Sequence, residues 1–113
     1  MLSERFRWRQ GRQGSGYRKM LLASGGCWDC YLLHYPIGSH VPVHHDPVEG
    51  RRHFRLNVTL RGAADAVQLL GSHIARGHRW LLFRPDVVSH HVLPIERPRL
   101  VLSIGWTRPA QST

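Results

Sequence analysis

The chain has 113 residues, 42% of them hydrophobic, with a formal net charge of +9 and nine histidines besides. That length fits one domain with a modest core, and the composition is unlike that of a disordered chain. No apolar run approaches the roughly 20 residues of a membrane-spanning helix, so no membrane association is expected. The basic charge favours anionic partners such as nucleic acid, acidic proteins or carboxylate metabolites.

Residues 1–18 hold Arg5, Arg7, Arg9, Arg12 and Arg18 among Gly11, Gly14 and Gly16. The glycine, serine and glutamine content argues against a regular helix, and the segment reads as a basic arm with Trp8 and Tyr17 to pack on the domain. No apolar stretch follows the first basic residues, so a secretory signal is not expected. Cys27 and Cys30 are the sole cysteines and do not make a disulfide framework. Both features point to a cytoplasmic protein.

Residues 19–108 read as the domain proper and 109–113 as a tail. Eight strand-like runs follow one another: Lys19–Ala23, Trp28–Tyr35, Val41–His44, Phe54–Leu60, Ala66–Leu70, Arg79–Phe83, His90–Leu93 and Arg99–Trp106. They are short, rich in Val, Leu and aromatics, and bounded by Gly, Pro, Asp or Ser. Ala63–Leu70 is the one segment with some helical character. It lacks caps and is followed by Gly71, so it is read as strand. Eight runs recurring about every ten residues predict an all-β sandwich or closed jelly roll rather than a βαβ fold.

The densest chemistry lies at the end of the third run, in His44, His45 and Asp46. Side chains two apart on a strand share a side, so His44 and Asp46 can converge on one point while His45 turns away. One imidazole and one carboxylate supply two metal ligands. A distant histidine completes a facial triad that leaves positions on Fe(II) open for substrates and O2. His90 and His91 are both candidates, and periodicity alone does not choose between them.

The chain resembles the Fe(II)/2-oxoglutarate-dependent dioxygenases, closest in pattern to the prolyl-4-hydroxylase-like group. Tyr35, Gly38, His44 and Asp46 match a Tyr-x-x-Gly turn, a short strand and His-x-Asp; His90, Val92, Pro94, Ile95 and Arg99 match the distal motif. The resemblance spans roughly residues 28–106 and selects His90 over His91. It implies a double-stranded β-helix, a jelly-roll and cupin-like barrel, holding Fe(II) through His44, Asp46 and His90. It further implies 2-oxoglutarate as cosubstrate, ascorbate as an accessory reductant, and hydroxylation or oxidative demethylation of a primary substrate that the sequence does not name. Arg99 is implied as partner of the far carboxylate of 2-oxoglutarate, a role that suits the two parallel N–H donors of a guanidinium. Tyr35 is implied as a hydroxyl donor to the same carboxylate. Asn57, if inward, needs hydrogen-bond partners that a cosubstrate could supply. The chain departs from the pattern at Arg61-Gly62-Ala63-Ala64-Asp65, where many relatives have Gly-Gly-Glu, and in a slightly shorter spacing from His90 to Arg99.

The alternative is a cupin-like metal-binding barrel without 2-oxoglutarate turnover; Pro85 before His90 fits it, whereas His-x-Asp departs from the usual His-x-His. A third reading is nucleic-acid binding by the arm Arg5–Lys19, with Trp8 and Tyr17 to stack on bases. Cys27 and Cys30 form a Cys-x-x-Cys without the second pair a structural zinc needs, and are read as inert. A chain this small leaves homo-oligomerisation open.

Overall fold

Along the last strand every second side chain faces the interior: Arg99, Val101, Ser103 and Gly105 are buried, while Leu100, Leu102, Ile104 and Trp106 lie half-buried on the other side. The computed structural model describes residues 6–11, 16–44, 49–62, 67–69, 71–92 and 95–109. His45, Asp46, Ala63–Ala66, Leu70, Leu93 and Pro94 lie outside the described residues, as do Arg5, Arg12 and positions 110–113.

The strands are β1 (Trp8–Gln10), β2 (Arg18–Ser24), β3 (Trp28–Tyr35), β4 (Val41–His44), β5 (Arg51–Arg61), β6 (Val67–Leu69), β7 (Ala75–Arg76), β8 (Trp80–Phe83), β9 (His90–Val92) and β10 (Arg99–Pro109). They form a seven-stranded sheet, β1-β2-β3-β10-β5-β8-β7, and a three-stranded sheet, β4-β9-β6. Every described pairing is antiparallel. This is the double-stranded β-helix, a jelly-roll barrel in a single small domain. Among the described residues there is no helix long and apolar enough to cross a membrane.

Each of the eight predicted runs overlaps an observed strand in its described residues, with Ala66, Leu70 and Leu93 outside them. In the Ala63–Leu70 segment, Val67–Leu69 is strand. Two strands were not foreseen. Trp8–Gln10 pairs with β2, so part of the basic segment extends the large sheet. Ala75–Arg76 pairs with β8. The strands β5 and β10 also run longer than their apolar cores and pair from Leu100 opposite Arg61 to Pro109 opposite Arg51.

β10 lies between β3 and β5, and its register aligns the inward residues of all three. Arg99 is opposite Tyr35, Val101 opposite Leu33 and Thr59, Ser103 opposite Tyr31 and Asn57, and Gly105 opposite Asp29 and Arg55. The apolar core gathers at one end, where Tyr35, Val41, Val92, Ile95 and Val101 pack together with Tyr17 and Leu33 against them. The turn after β3 closes this end. Gly38 takes a φ of 86°, which a side chain disfavours, and its N–H donates to the Ile95 carbonyl at 2.8 Å. The Ile95 N–H returns a bond to the Ser39 carbonyl at 2.9 Å.

The end of β5 is held against the start of β10. Arg79 donates from Nε to the Thr59 carbonyl at 3.0 Å and from Nη2 to the Gly62 carbonyl at 2.9 Å. Gly62 has a φ of 91°, and a Cβ there would come 2.8 Å from the Pro98 carbonyl oxygen and 3.0 Å from the Arg99 Cα. Both the backbone conformation and the space demand glycine. Gly62→Ala is therefore expected to destabilise the fold by more than about 1 kcal/mol. Gly26→Ala, where an added Cβ meets nothing within 4 Å, should change stability by less than about 0.5 kcal/mol. Urea midpoints of the two variants check this, and equal midpoints would remove Gly62 from the account of how β5 meets Arg99.

Candidate metal centre

β4 and β9 are partners in the small sheet, and the pairing sets His44 directly opposite His90. Their rings meet with centroids 4.2 Å apart and planes tilted by 57°. Metal–imidazole bonds of about 2 Å place neighbouring donor nitrogens on the order of 3 Å apart, which this pair can reach by side-chain rotation. His90 is 8% exposed and its ring packs edge-on against Phe83 at 5.1 Å. Its Nδ1 lies 3.0 Å from the Val88 carbonyl oxygen. A carbonyl can only accept, so the proton belongs on Nδ1 and the lone pair on Nε2, the tautomer of metal-binding histidines whose second nitrogen is tied to the backbone. His91 is next along β9, on the opposite face, with Gln68 as its cross-strand partner. The observed geometry thus brings together two of the three residues expected at the centre. The third, Asp46, and its neighbour His45 lie outside the described residues. Among the described residues no group of three His, Cys, Asp or Glu could hold a metal, so the donor set as described is the His44–His90 pair.

The two histidines line a cavity of about 460 Å3 inside the barrel. Tyr35 forms its wall at the closed end and stacks on Tyr17 at 5.1 Å. Burial pushes the Tyr35 phenol up, an effect only partly offset by the charge of Arg99 and a hydrogen bond from it. Tyr35 therefore stays a neutral hydroxyl at physiological pH. Arg99 is 2% exposed. Its guanidinium carbon lies 5.2 Å from the centre of the Tyr35 ring, and its Nη2 donates to Thr59 Oγ1 at 3.3 Å. Arg99 thus lies behind Tyr35, off the wall of this cavity, and lines a small separate recess with Thr59, Arg79 and Leu81. Arg97, two positions earlier, is exposed.

Asn57 is inward and on the wall. Its Oδ1 accepts a 2.6 Å hydrogen bond from Ser103 Oγ, so its partner is a side chain of the neighbouring strand. Ser103 in turn accepts from Arg55 Nη1 at 2.8 Å. Arg55 Nη2 donates to both oxygens of Asp29, at 2.8 and 3.1 Å. The chain Asp29–Arg55–Ser103–Asn57 crosses three strands and was not anticipated from sequence. A signal was present, since Arg55 shares strand parity with Asn57 and Thr59.

Cys27 and Cys30 are both free thiols, the first exposed and the second half-buried. Arg51 Nη2 lies 3.5 Å from Cys27 Sγ. Burial pushes the Cys30 thiol up, and the neighbouring Asp29 adds to this, both of which disfavour the reactive thiolate.

No protein-family model matches the sequence, and no curated protein matches it. The fold is similar to several solved structures. KdgF from Halomonas sp. superposes with a TM-score of 0.67 at 17% identity, covering 90% of this chain and 88% of that one. A Pseudomonas putida prolyl-4-hydroxylase does so with a TM-score of 0.65 at 21% identity, covering 92% and 78%. An RmlC-like cupin from Shewanella frigidimarina gives a TM-score of 0.62 at 17% identity, covering 94% and 86%. At such identities the likeness establishes the cupin-like barrel.

Strand parity generates a prediction for the histidine doublets. His44→Ala, Asp46→Ala and His90→Ala should each weaken Mn(II) binding at least about tenfold, and His45→Ala and His91→Ala should do so much less. Calorimetric titration of the five variants decides it. A larger loss in His91→Ala than in His90→Ala would place the ligand on the other face of β9.

Proposed function

We propose that the chain is a non-haem Fe(II)- and 2-oxoglutarate-dependent dioxygenase that hydroxylates, or oxidatively demethylates, a primary substrate. The observation that carries this reading is the buried Arg99. A guanidinium taken out of water at the closed end of a barrel is a strong anchor for an anion entering from the other end, where His44 and His90 meet. 2-Oxoglutarate has that shape, with a metal-chelating 2-oxo acid at one end and a carboxylate at the other.

In this proposal His44, Asp46 and His90 hold Fe(II), and Asp46 enters through the sequence alternation from His44. When bound, the iron couples O2 reduction and decarboxylation of the 2-oxo acid to oxidation of a substrate C–H bond. The balance is 2-oxoglutarate, O2 and R–H giving succinate, CO2 and R–OH. The chain's own residues bind and orient. Val88 fixes the tautomer of His90. Tyr35, held neutral by its burial, donates its hydroxyl proton towards the far carboxylate. Arg99 lies behind that ring and supplies the charge. Val41, Val92 and Phe83 line the same cavity and restrict water around the reacting atoms.

The cupin-like metal barrel without 2-oxoglutarate chemistry is the second reading. What favours it is the position of the Tyr35 ring between Arg99 and the cavity. The two readings diverge in one measurement. The dioxygenase, anaerobic with Fe(II) and 2-oxoglutarate, should develop the visible charge-transfer band of a chelated 2-oxo acid. Arg99→Leu should then weaken 2-oxoglutarate binding by about 3–5 kcal/mol, on the order of a hundredfold or more, with Mn(II) affinity nearly intact. Arg97→Leu should have little effect. Absence of the band in the iron-loaded wild type would favour the bare metal barrel.

A further inference from the structure

The register of the large sheet sets the side chains of its outer face in rows. Residues directly opposite one another across a ladder project on the same side. One row runs Trp8–Met20–Leu32–Leu102–Val58–Trp80 and crosses six strands, from β1 to β8. The next runs Ala23–Cys30–Ile104–Leu56–Leu82–Ala75, from β2 to β7. A third, Trp28–Trp106–Phe54, lies beside it, with the Trp106 and Phe54 rings stacked at 5.8 Å. Every one of these side chains is apolar or a thiol, and none is buried. Trp8, Trp28 and Trp80 are 43%, 45% and 42% exposed.

Charge is confined to the borders of this face. Beyond the first row Arg18, His34 and Arg61 stand with Leu100, and beyond the third Arg52 is opposite Arg108. An apolar middle within a polar rim is the anatomy of a protein–protein interface. Neighbouring strands are about 4.8 Å apart and same-face residues about 6.8 Å apart, so the three rows span on the order of 500 Å2 in plan. The largest apolar patch on a monomer is about 300–600 Å2. The relief of the side chains brings this face towards the roughly 800 Å2 that each partner gives to a standard interface. Among the described residues no helix is present to cover it.

We propose that this face is a homodimer interface, in which the large sheets of two copies pack back to back, about 10 Å apart and with their strands nearly aligned. The occupant follows from what the rows lack. Nucleic acid or an anionic surface needs cations in the middle of the face, and the three rows hold none. What fits is an apolar surface as broad and as free of charge, and the same face of a second copy supplies it. A two-fold pairing of this kind closes on itself and leaves no sheet face to recruit further copies. The two cavities, on the inner side of β3, β10 and β5, then lie on opposite sides of the dimer. The pairing needs neither the metal nor 2-oxoglutarate.

Each copy carries a formal charge of +9, so the two repel at long range and salt screens that repulsion. The dimer therefore tightens as salt is raised, whereas a complex held by phosphate contacts weakens. The two thiols report separately on the face, because Cys30 lies within the second row and Cys27 lies outside all three.

The full chain is followed by sedimentation velocity from nanomolar to high micromolar concentration, at low and high salt. A dimer should form within the micromolar range and tighten severalfold between the two salt conditions. Leu102→Lys sets a charge in the middle of the face and should raise the dissociation constant about a hundredfold or more. Ile37→Lys, on the exposed turn after β3, should leave it unchanged. Should Leu102→Lys fail to fold, thiol labelling of the wild type decides. Cys30 should react with iodoacetamide several times more slowly in the dimer than after dilution to monomer, with Cys27 as the internal reference. A monomer at every concentration overturns the proposal. So does a dimer that a folded Leu102→Lys leaves intact, a dimer that salt weakens, or Cys30 labelling that dilution does not change.

Discussion

The position of β10 between β3 and β5, in a single register, is the constraint on which the interior depends. Because side chains alternate, a slip of one residue would turn Arg99, Val101 and Ser103 outward and bring Leu100, Leu102 and Ile104 in. The pairings on both edges oppose that slip. Between Leu100 and Val101 the β10–β5 register shifts, which gives the start of β10 a local freedom that the rest lacks. Arg99 sits at that start, over Tyr35 and bonded to Thr59. The irregularity lies where a buried cation must be aimed, and the regular ladder lies where Ser103 and Gly105 must meet Arg55.

A second consequence of this register is an interior graded in polarity. The closed end is apolar and tightly buried around Tyr35, Val101 and Ile95, with one guanidinium set into it. Towards the histidine pair the wall becomes polar, through Asn57, Ser103 and Arg55, each bonded to the next. Hydrogen bonds among these groups offset the cost of removing them from water. They also fix the rotamers, so the polar wall is shaped before any ligand arrives. Of the two guanidiniums, Arg55 lies on the cavity wall with its charge matched by Asp29, and Arg99 lies behind Tyr35.

The eight runs were legible because short β-branched and aromatic stretches between turn residues signal strands; alternation set His44 apart from His45, whereas the choice of His90 over His91 came from the resemblance to the dioxygenase motif and not from alternation. The two missed strands, Trp8–Gln10 and Ala75–Arg76, are too short to show a period and owe their conformation to the strand beside them. Arg55 was missed for a different reason. In β5 the apolar residues Phe54, Leu56 and Val58 share one face, and a simple amphipathic reading would turn that face inward. The structure does the opposite: Arg55, Asn57 and Thr59 face the barrel interior, and the apolar set lies half-covered on the outer face of the large sheet. A barrel whose interior is a cavity lined with polar groups inverts the usual pattern, and a single sequence does not say which face is which.

The unequal sizes of the two sheets bear on what a metal would do here. The large sheet is anchored by the long ladder of β5 and β10, eleven residues each, whereas the described residues of β4, β9 and β6 number four, three and three. The turn that joins Gly38 to Ile95 holds this described part of the small sheet at one end. His44 and His90 face each other across two of its strands. An ion bound by both would clamp β4 to β9 at the end opposite that turn. Binding of this kind stabilises the folded chain by mass action, because the unfolded chain does not bring the two rings together. The same ligands that would serve chemistry would therefore also brace the weaker wall of the barrel, so loss of metal should loosen the small sheet before the large one.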